Sequence, residues 1–136
     1  MLRINIILVL FVSIFMISNN THSQSKKQIK SYHLFVKATA YCPCSRCCGK
    51  GSPGITKRGT DAWKPGVAVD RNVIPLGSHI DIPGYKRGPN KNGSWILCDD
   101  IGGAIEGNEI DVRFKTHREA LKWGEKNIKI RVWPSR

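Results

Sequence analysis

Acidic residues are scarce in this 136-residue chain: ten Asp and Glu stand against 22 Lys and Arg, for a formal charge of +12. That deficit favours polyanionic partners, namely nucleic acid, anionic membrane or acidic wall polymers, over acidic proteins' usual targets. A solvated basic surface kept for solubility is the plainer alternative. Runs of basic residues interleaved with aromatics are missing, and the Lys and Arg are scattered, which argues against base stacking and so against nucleic acid. No apolar run reaches the roughly 20 residues of a spanning helix. Fixed-period repeats and a nucleotide-binding loop are absent too, and the length leaves room for one domain. His22, His33, His79 and His117 are too dispersed to suggest a metal set, and no cofactor is expected.

What apolar run there is lies at the start. Met1, Leu2 and Arg3 precede Ile4 to Ile17, interrupted only by Asn5 and Ser13, and polar residues then lead to the small-x-small triplet Thr21-His22-Ser23. This is the layout of a secretory signal peptide cleaved near Ser23 or Gln24. The expected organisation is a signal peptide over 1–23, a flexible lead over 24–33 and a folded domain over 34–136. A monomer secreted to the periplasm or cell wall follows, touching membrane only during export, and among polyanions export points to acidic wall polymers.

All five Cys lie beyond the leader. Cys42, Cys44, Cys47 and Cys48 are bunched in YCPCSRCCG, and Cys98 stands apart. An exported protein can keep disulfides, although an odd count leaves one thiol over. Four thiolates also suffice for a tetrahedral zinc site. Against that, the adjacent Cys47 and Cys48 do not easily face one metal. A redox role would want a nearby His, and the closest upstream is His33.

Period-two alternation predicts strands over 34–41, 66–70, 78–82, 94–99, 109–114 and 127–133. Thr116-His117-Arg118-Glu119 is a capping-box pattern opening a short helix that stops at Gly124. The 42–65 stretch is a long loop rich in Gly and Pro. Within it Thr56 and Thr60 are candidates to line a groove through hydroxyls and backbone amides. The 85–93 stretch is a basic loop suited to contact an anionic polymer. Six short strands, one short helix and long connections suit a mainly β, closed small barrel, which removes the exposed edges of an open sheet.

The acids concentrate in Cys98 to Phe114, CDDIGGAIEGNEIDVRF. Parity puts Ile96, Cys98 and Asp100 on one side of their strand and Asp99 on the other, so Asp99 is read as a surface group with Asp61, Asp81 and Glu106. Asp111 alternates with Ile110 and Val112 and is aimed away from the apolar side. Glu109 shares its face, as a second acid or a partner of Arg113. Gly102 and Gly103 free the backbone to approach a ligand closely.

Three segments then line up with a known family. Val67-Ala68-Val69-Asp70 leading to Ile74-Pro75-Leu76-Gly77, Asp100-Ile101-Gly102-Gly103-Ala104-Ile105 with Gly107-Asn108, and Ile110-Asp111-Val112 together resemble the 3D domain, named for three aspartates. Ala38-Thr39-Ala40-Tyr41 and Ala120-Leu121-Lys122-Trp123-Gly124 extend the likeness to roughly 36–132. The resemblance implies a six-stranded double-psi β-barrel and lytic transglycosylase action on peptidoglycan glycan strands, with a non-catalytic or expansin-like wall-binding barrel as the alternative. It also implies Asp70, Asp100 and Asp111 as catalytic residues, Asp111 being the acid and base. The chain departs from the pattern at Ile101, where Thr is common, and in its Cys-rich insertion. Asp70 and Asp100 clustered around Asp111 would disfavour its ionisation. On the other reading, Asp70 and Asp100 satisfy turn amides at strand ends.

Overall fold

A computed structural model describes residues 30–88, 90 and 92–135. The expected signal peptide and most of the lead lie outside the described residues. Six strands form: β1 (Tyr32–Tyr41), β2 (Val67–Val69), β3 (His79–Asp81), β4 (Ile96–Asp100), β5 (Glu109–Arg113) and β6 (Lys126–Trp133). Each falls where alternation predicts it, and β1 begins two residues earlier, at Tyr32, because β6 pairs with it as far as Val132. Among the described residues there are two helices where one was expected: α1 (Ser45–Cys48), a single turn within the Cys-rich loop, precedes α2 (His117–Trp123). The capping box at α2 is formed as expected, Glu119 N–H donating to Thr116 Oγ1 at 3.2 Å and Thr116 N–H to Glu119 Oε2 at 2.9 Å.

The strands close in the order β1-β5-β2-β4-β3-β6. The pairs β1/β5 and β2/β4 are parallel and the rest antiparallel. The 42–66 connection runs from β1 to β2 across β5, and the 101–108 connection from β4 to β5 across β2; neither joins neighbouring strands, so neither can be a tight hairpin in this small double-psi barrel. The inward positions are those alternation marks: Val36, Ala38, Val67, Val69, Ile80, Ile96, Cys98, Ile110, Val112, Ile130 and Val132 are all buried. Full burial of such a side chain contributes about 1.5–3 kcal/mol. One end of the barrel is plugged by aromatics, with Tyr85 edge-on to Phe114 at 5.2 Å and Phe114 against Trp123 at 5.5 Å.

The outer face of β4, β2 and β5 is not left to solvent. The 42–66 loop crosses it, bonded by Arg58 N–H to Asp99 O and by Arg113 N–H to Gly66 O. That cover overturns two expectations. Asp99, read as a surface group, is 2% exposed, and Arg113, read as outward, is fully buried. Parity placed both off the barrel core correctly, yet cannot see a loop that folds over the other side.

Candidate active site

Register brings the key residues onto one face. Asp111 of β5 pairs with Thr39 of β1 on one side and with Ala68 of β2 on the other, and Ala68 pairs in turn with Asp100 of β4. Paired residues point the same way, so Thr39, Asp111 and Ala68 stand in a row across three strands, and Asp100 joins it because the β2/β4 register shifts between Val67 and Ala68. Asp111 and Asp100 are two strand spacings apart at the backbone, about 10 Å, and the small Ala68 side chain forms the floor between them. Asp70 follows Ala68 by two residues and shares its face.

The three carboxylates differ in what holds them. Asp70 Oδ1 accepts Asn72 N–H at 2.9 Å and its Oδ2 accepts Gly107 N–H at 2.8 Å. These amides, Asn72 first, hold its carboxyl below the ordinary carboxylate range. Gly107 sits at φ +63°, a conformation that favours glycine, so Asp70 ties the 101–108 loop to the end of β2. Asp100 Oδ1 accepts Lys57 N–H and Ile101 N–H, each at 3.0 Å, and Oδ2 accepts the Tyr41 hydroxyl at 3.1 Å. The turn-bracing role weighed for both acids is therefore present. Asp111 receives one side-chain bond, from Thr39 Oγ1 to Oδ1 at 2.9 Å.

Burial raises the proton affinity of Asp111 above that of a free aspartate, and the Thr39 hydroxyl partly opposes it. Neighbouring carboxylates were expected to supply that shift. They do not, because Asp70 lies with its turn amides and Asp100 is held across the width of a strand.

Beneath the site is a buried polar network that sequence reasoning missed. Arg113 donates from Nη2 to Asp99 Oδ1 at 2.5 Å, from Nη1 to Asp99 Oδ2 at 3.2 Å, and from Nε to the Tyr41 hydroxyl at 2.7 Å. The Tyr41 hydroxyl in turn donates to Asp100 Oδ2, so Asp99, Arg113, Tyr41 and Asp100 form one chain of bonds. Gly66 makes this possible: a Cβ there would meet Arg113 Nη1 and Asp99 Oδ1 at 2.6 Å. Tyr41 was visible in the Ala-Thr-Ala-Tyr segment, whereas nothing local marks Gly66 or pairs Arg113 with Asp99.

Other expected binding residues fall differently. Thr56 is buried, its Oγ1 lying 2.6 Å from Thr60 Oγ1, and Thr60 donates to Asp99 Oδ2 at 2.6 Å. The two hydroxyls brace the loop over the ion pair, which corrects the expectation that they line a groove. Glu109 pairs with Lys37 Nζ at 2.7 Å and not with Arg113. Gly102 packs under Ile105, with a would-be Cβ contact at 2.6 Å, while Gly103 faces open space and leaves the backbone approachable. Two depressions, of about 350 and 380 Å³, lie elsewhere: one is bordered by Lys86, Lys122, Trp123 and Lys126, the other by Lys64, His79 and Trp95. Neither borders an aspartate.

The thiols hold the second surprise. Among the described residues all five Cys are free, so the expected disulfides are not formed. Cys42 Sγ lies 3.3 Å from Cys47 Sγ, and Cys47 Sγ lies 3.4 Å from His117 Nδ1, so the fold brings in a His that looked remote. Cys48 points away and donates to Cys42 O at 3.3 Å. Its thiol is raised first by burial and then by the neighbouring Cys47 and Cys44.

The profile of the 3D domain matches residues 66–134. The chain is 39% identical over 100 residues to YabE of Bacillus subtilis (strain 168), whose name marks it as a candidate cell wall shaping protein, covering 73% of this chain and 22% of that one. It is 38% identical over 114 residues to the cell wall-binding protein YocH of the same organism, covering 81% and 36%. The chain thus spans less than half the length of either relative. Among solved structures it is similar to MltA from E. coli, with TM-score 0.45, 22% identity and coverage of 64% of this chain and 29% of that one. It is also similar to an expansin of Clavibacter michiganensis, with TM-score 0.45, 19% identity and coverage of 77% and 51%. With the profile spanning β2 to β6, the chain belongs to the 3D domain family.

Proposed function

We propose that this protein is an exported lytic transglycosylase that cleaves the bond between N-acetylmuramic acid and N-acetylglucosamine in peptidoglycan. The observation that carries the proposal is Asp111: a half-buried carboxyl with raised proton affinity and one hydrogen-bond partner. Protonated Asp111 gives its proton to the leaving glycosidic oxygen. The resulting carboxylate takes a proton from the muramic acid 6-hydroxyl, whose oxygen closes onto the anomeric carbon. One acid thus serves both steps, whereas hydrolysis calls on a second carboxylate to activate water or act as nucleophile. Asp100 is ill suited to that second part, being tied to two amides and a phenol. Asp100 and Asp70 act in this reading by positioning the loops around the site.

A non-catalytic wall-binding barrel is the second reading, favoured by the excess of positive charge and by the name of YocH. Mass spectrometry of soluble products from isolated sacculi separates the two. Anhydro-muropeptides released by the purified protein and lost in Asp111→Ala are expected. Reducing ends would assign a hydrolase, and sedimentation with sacculi without any product would assign a binder.

A further inference from the structure

The corner where β1 ends and α2 begins gathers four groups for which the acid chemistry has no use. Cys42 follows the last residue of β1, Cys44 and Cys47 flank the turn of α1, and His117 is the first residue of α2. One ligand atom from each, three Sγ and an imidazole nitrogen, all lie within 4.8 Å of one another. We propose that Cys42, Cys44, Cys47 and His117 form a structural Zn²⁺ site that staples the Cys-rich loop to the start of α2.

The geometry is close to what zinc requires. Zn–S and Zn–N bonds of about 2.3 and 2.0 Å set tetrahedral edges of about 3.8 Å between sulfurs and about 3.5 Å between sulfur and nitrogen. The Cys47–His117 separation of 3.4 Å matches its edge to about 0.1 Å, and the Cys42–Cys47 separation of 3.3 Å would open by about 0.5 Å to admit the ion. Cys44 and Cys47 stand at C-x-x-C spacing, and the chain between them turns so that Cys47 N–H and Cys48 N–H both donate to Cys44 O.

The arrangement answers the objection raised by adjacent cysteines. Cys48 turns aside to a backbone carbonyl, and a histidine 70 residues beyond Cys47 takes the fourth corner. A Cys42–Cys47 disulfide would account for two of the four groups and leave the convergence of Cys44 and His117 without a reason. Three thiolates and one imidazole make a closed, soft ligand set, which selects zinc and leaves no position for substrate. The metal's part is then to hold the loop that runs from Cys48 across the outer face, beside Asp100 and Asp111. Binding releases the three thiol protons, so it weakens in acid.

The test uses exported protein purified without chelator or reductant, with zinc measured by elemental analysis and thiol state by intact mass. One zinc per chain and fully reduced thiols are expected. Co²⁺ exchanged into the same protein is expected to give thiolate charge-transfer absorption and the intense visible bands of a tetrahedral ion. His117→Ala is expected to weaken zinc binding by roughly tenfold or more, since loss of even an outer partner of a ligand costs about 10–100-fold. Cys48→Ser is expected to leave it unchanged. A mass lower by one disulfide with no zinc, failure of the reduced protein to take up added Zn²⁺ or Co²⁺, or undiminished binding in His117→Ala would each overturn the site. None of these outcomes depends on glycan cleavage, so the zinc site and the proposed activity stand or fall separately.

Discussion

The end of β4 and the middle of β5 carry carboxylates on the same covered face of the barrel, yet treat them in opposite ways. At β4, Asp99 is gripped by both terminal nitrogens of Arg113, and Asp100 is held by two amides and the Tyr41 hydroxyl. At β5, Asp111 is similarly withdrawn from water but receives a single hydroxyl. Desolvation penalises the charged form wherever it is uncompensated. The acids rich in partners are thereby committed to holding loops, and the poorly partnered one is left with affinity for a proton. In this protein a candidate catalytic acid is recognised less by the company of other acids than by the shortage of donors around it.

Several substitutions would break or sharpen that contrast. The largest effect is expected from Asp111→Ala, which removes the proton donor: release of anhydro-muropeptides should fall by about 10²–10⁴-fold, the usual worth of general acid–base catalysis, with the circular dichroism spectrum unchanged. Next is Arg113→Met, which leaves Asp99 charged and unpaired in the interior. Denaturant unfolding should show a loss of about 3–5 kcal/mol, the cost of breaking a buried pair by removing one partner. A loss under 1 kcal/mol would mean that water reaches Asp99. Asp100→Ala strands the amides of Lys57 and Ile101 and should destabilise by about 1–3 kcal/mol. Its cleavage rate should fall less than that of Asp111→Ala, and an equal fall would promote Asp100 from brace to catalyst.

Two pH effects are smaller and test the cause assigned to Asp111. Its folded form binds a proton more tightly than the unfolded chain, so its contribution to stability is full below the ordinary carboxylate range and is lost as pH rises through the folded value. Asp111→Asn escapes that loss. Its thermal midpoint should exceed that of the wild type near neutrality, with the gap closing in acid, and the reverse order near neutrality would remove burial as the dominant influence. Thr39→Val deletes the one donor that opposes the shift. The alkaline limb of the pH–rate profile should move to higher pH, and an unmoved limb would assign it to another group.

Most of the barrel was legible before any coordinates. Alternation marked most of the strands, because an inward-facing strand must repeat its apolar residues every second position, and the short apolar run Val67-Ala68-Val69 marked β2. Thr116 and Glu119 announced α2, because a capping box is closed within four residues. The site was legible in part: parity turned Asp111 off the core, but it set Asp100 on the side opposite Asp99, whereas a register shift between β2 and β4 aligns Asp100 with Ala68 and Arg113 Nη2 lies 2.5 Å from Asp99 and 3.9 Å from Asp100. Sequence reasoning of this kind reads only the strand itself. It failed where the deciding neighbour is distant in sequence. Asp99 looked like a surface acid because its partner, Arg113, is 14 residues away on another strand. Thr56 and Thr60 looked free because the carboxylate that engages Thr60 lies 39 residues on.

By itself, then, the sequence determined what depends on periods and near neighbours: strands, their inner faces, one helix cap, and three aspartates at the ends or middle of strands. Tertiary structure decided what depends on closure. Wrapping β5 against both β1 and β2 set Thr39 and Ala68 on either side of Asp111, and β4 beside β2 placed Asp100 across the floor. The same closure carried His117 to the cysteines and folded the 42–66 loop over Arg113. Burial and long-range pairing set proton affinity and metal geometry, and neither is a property that a linear motif contains.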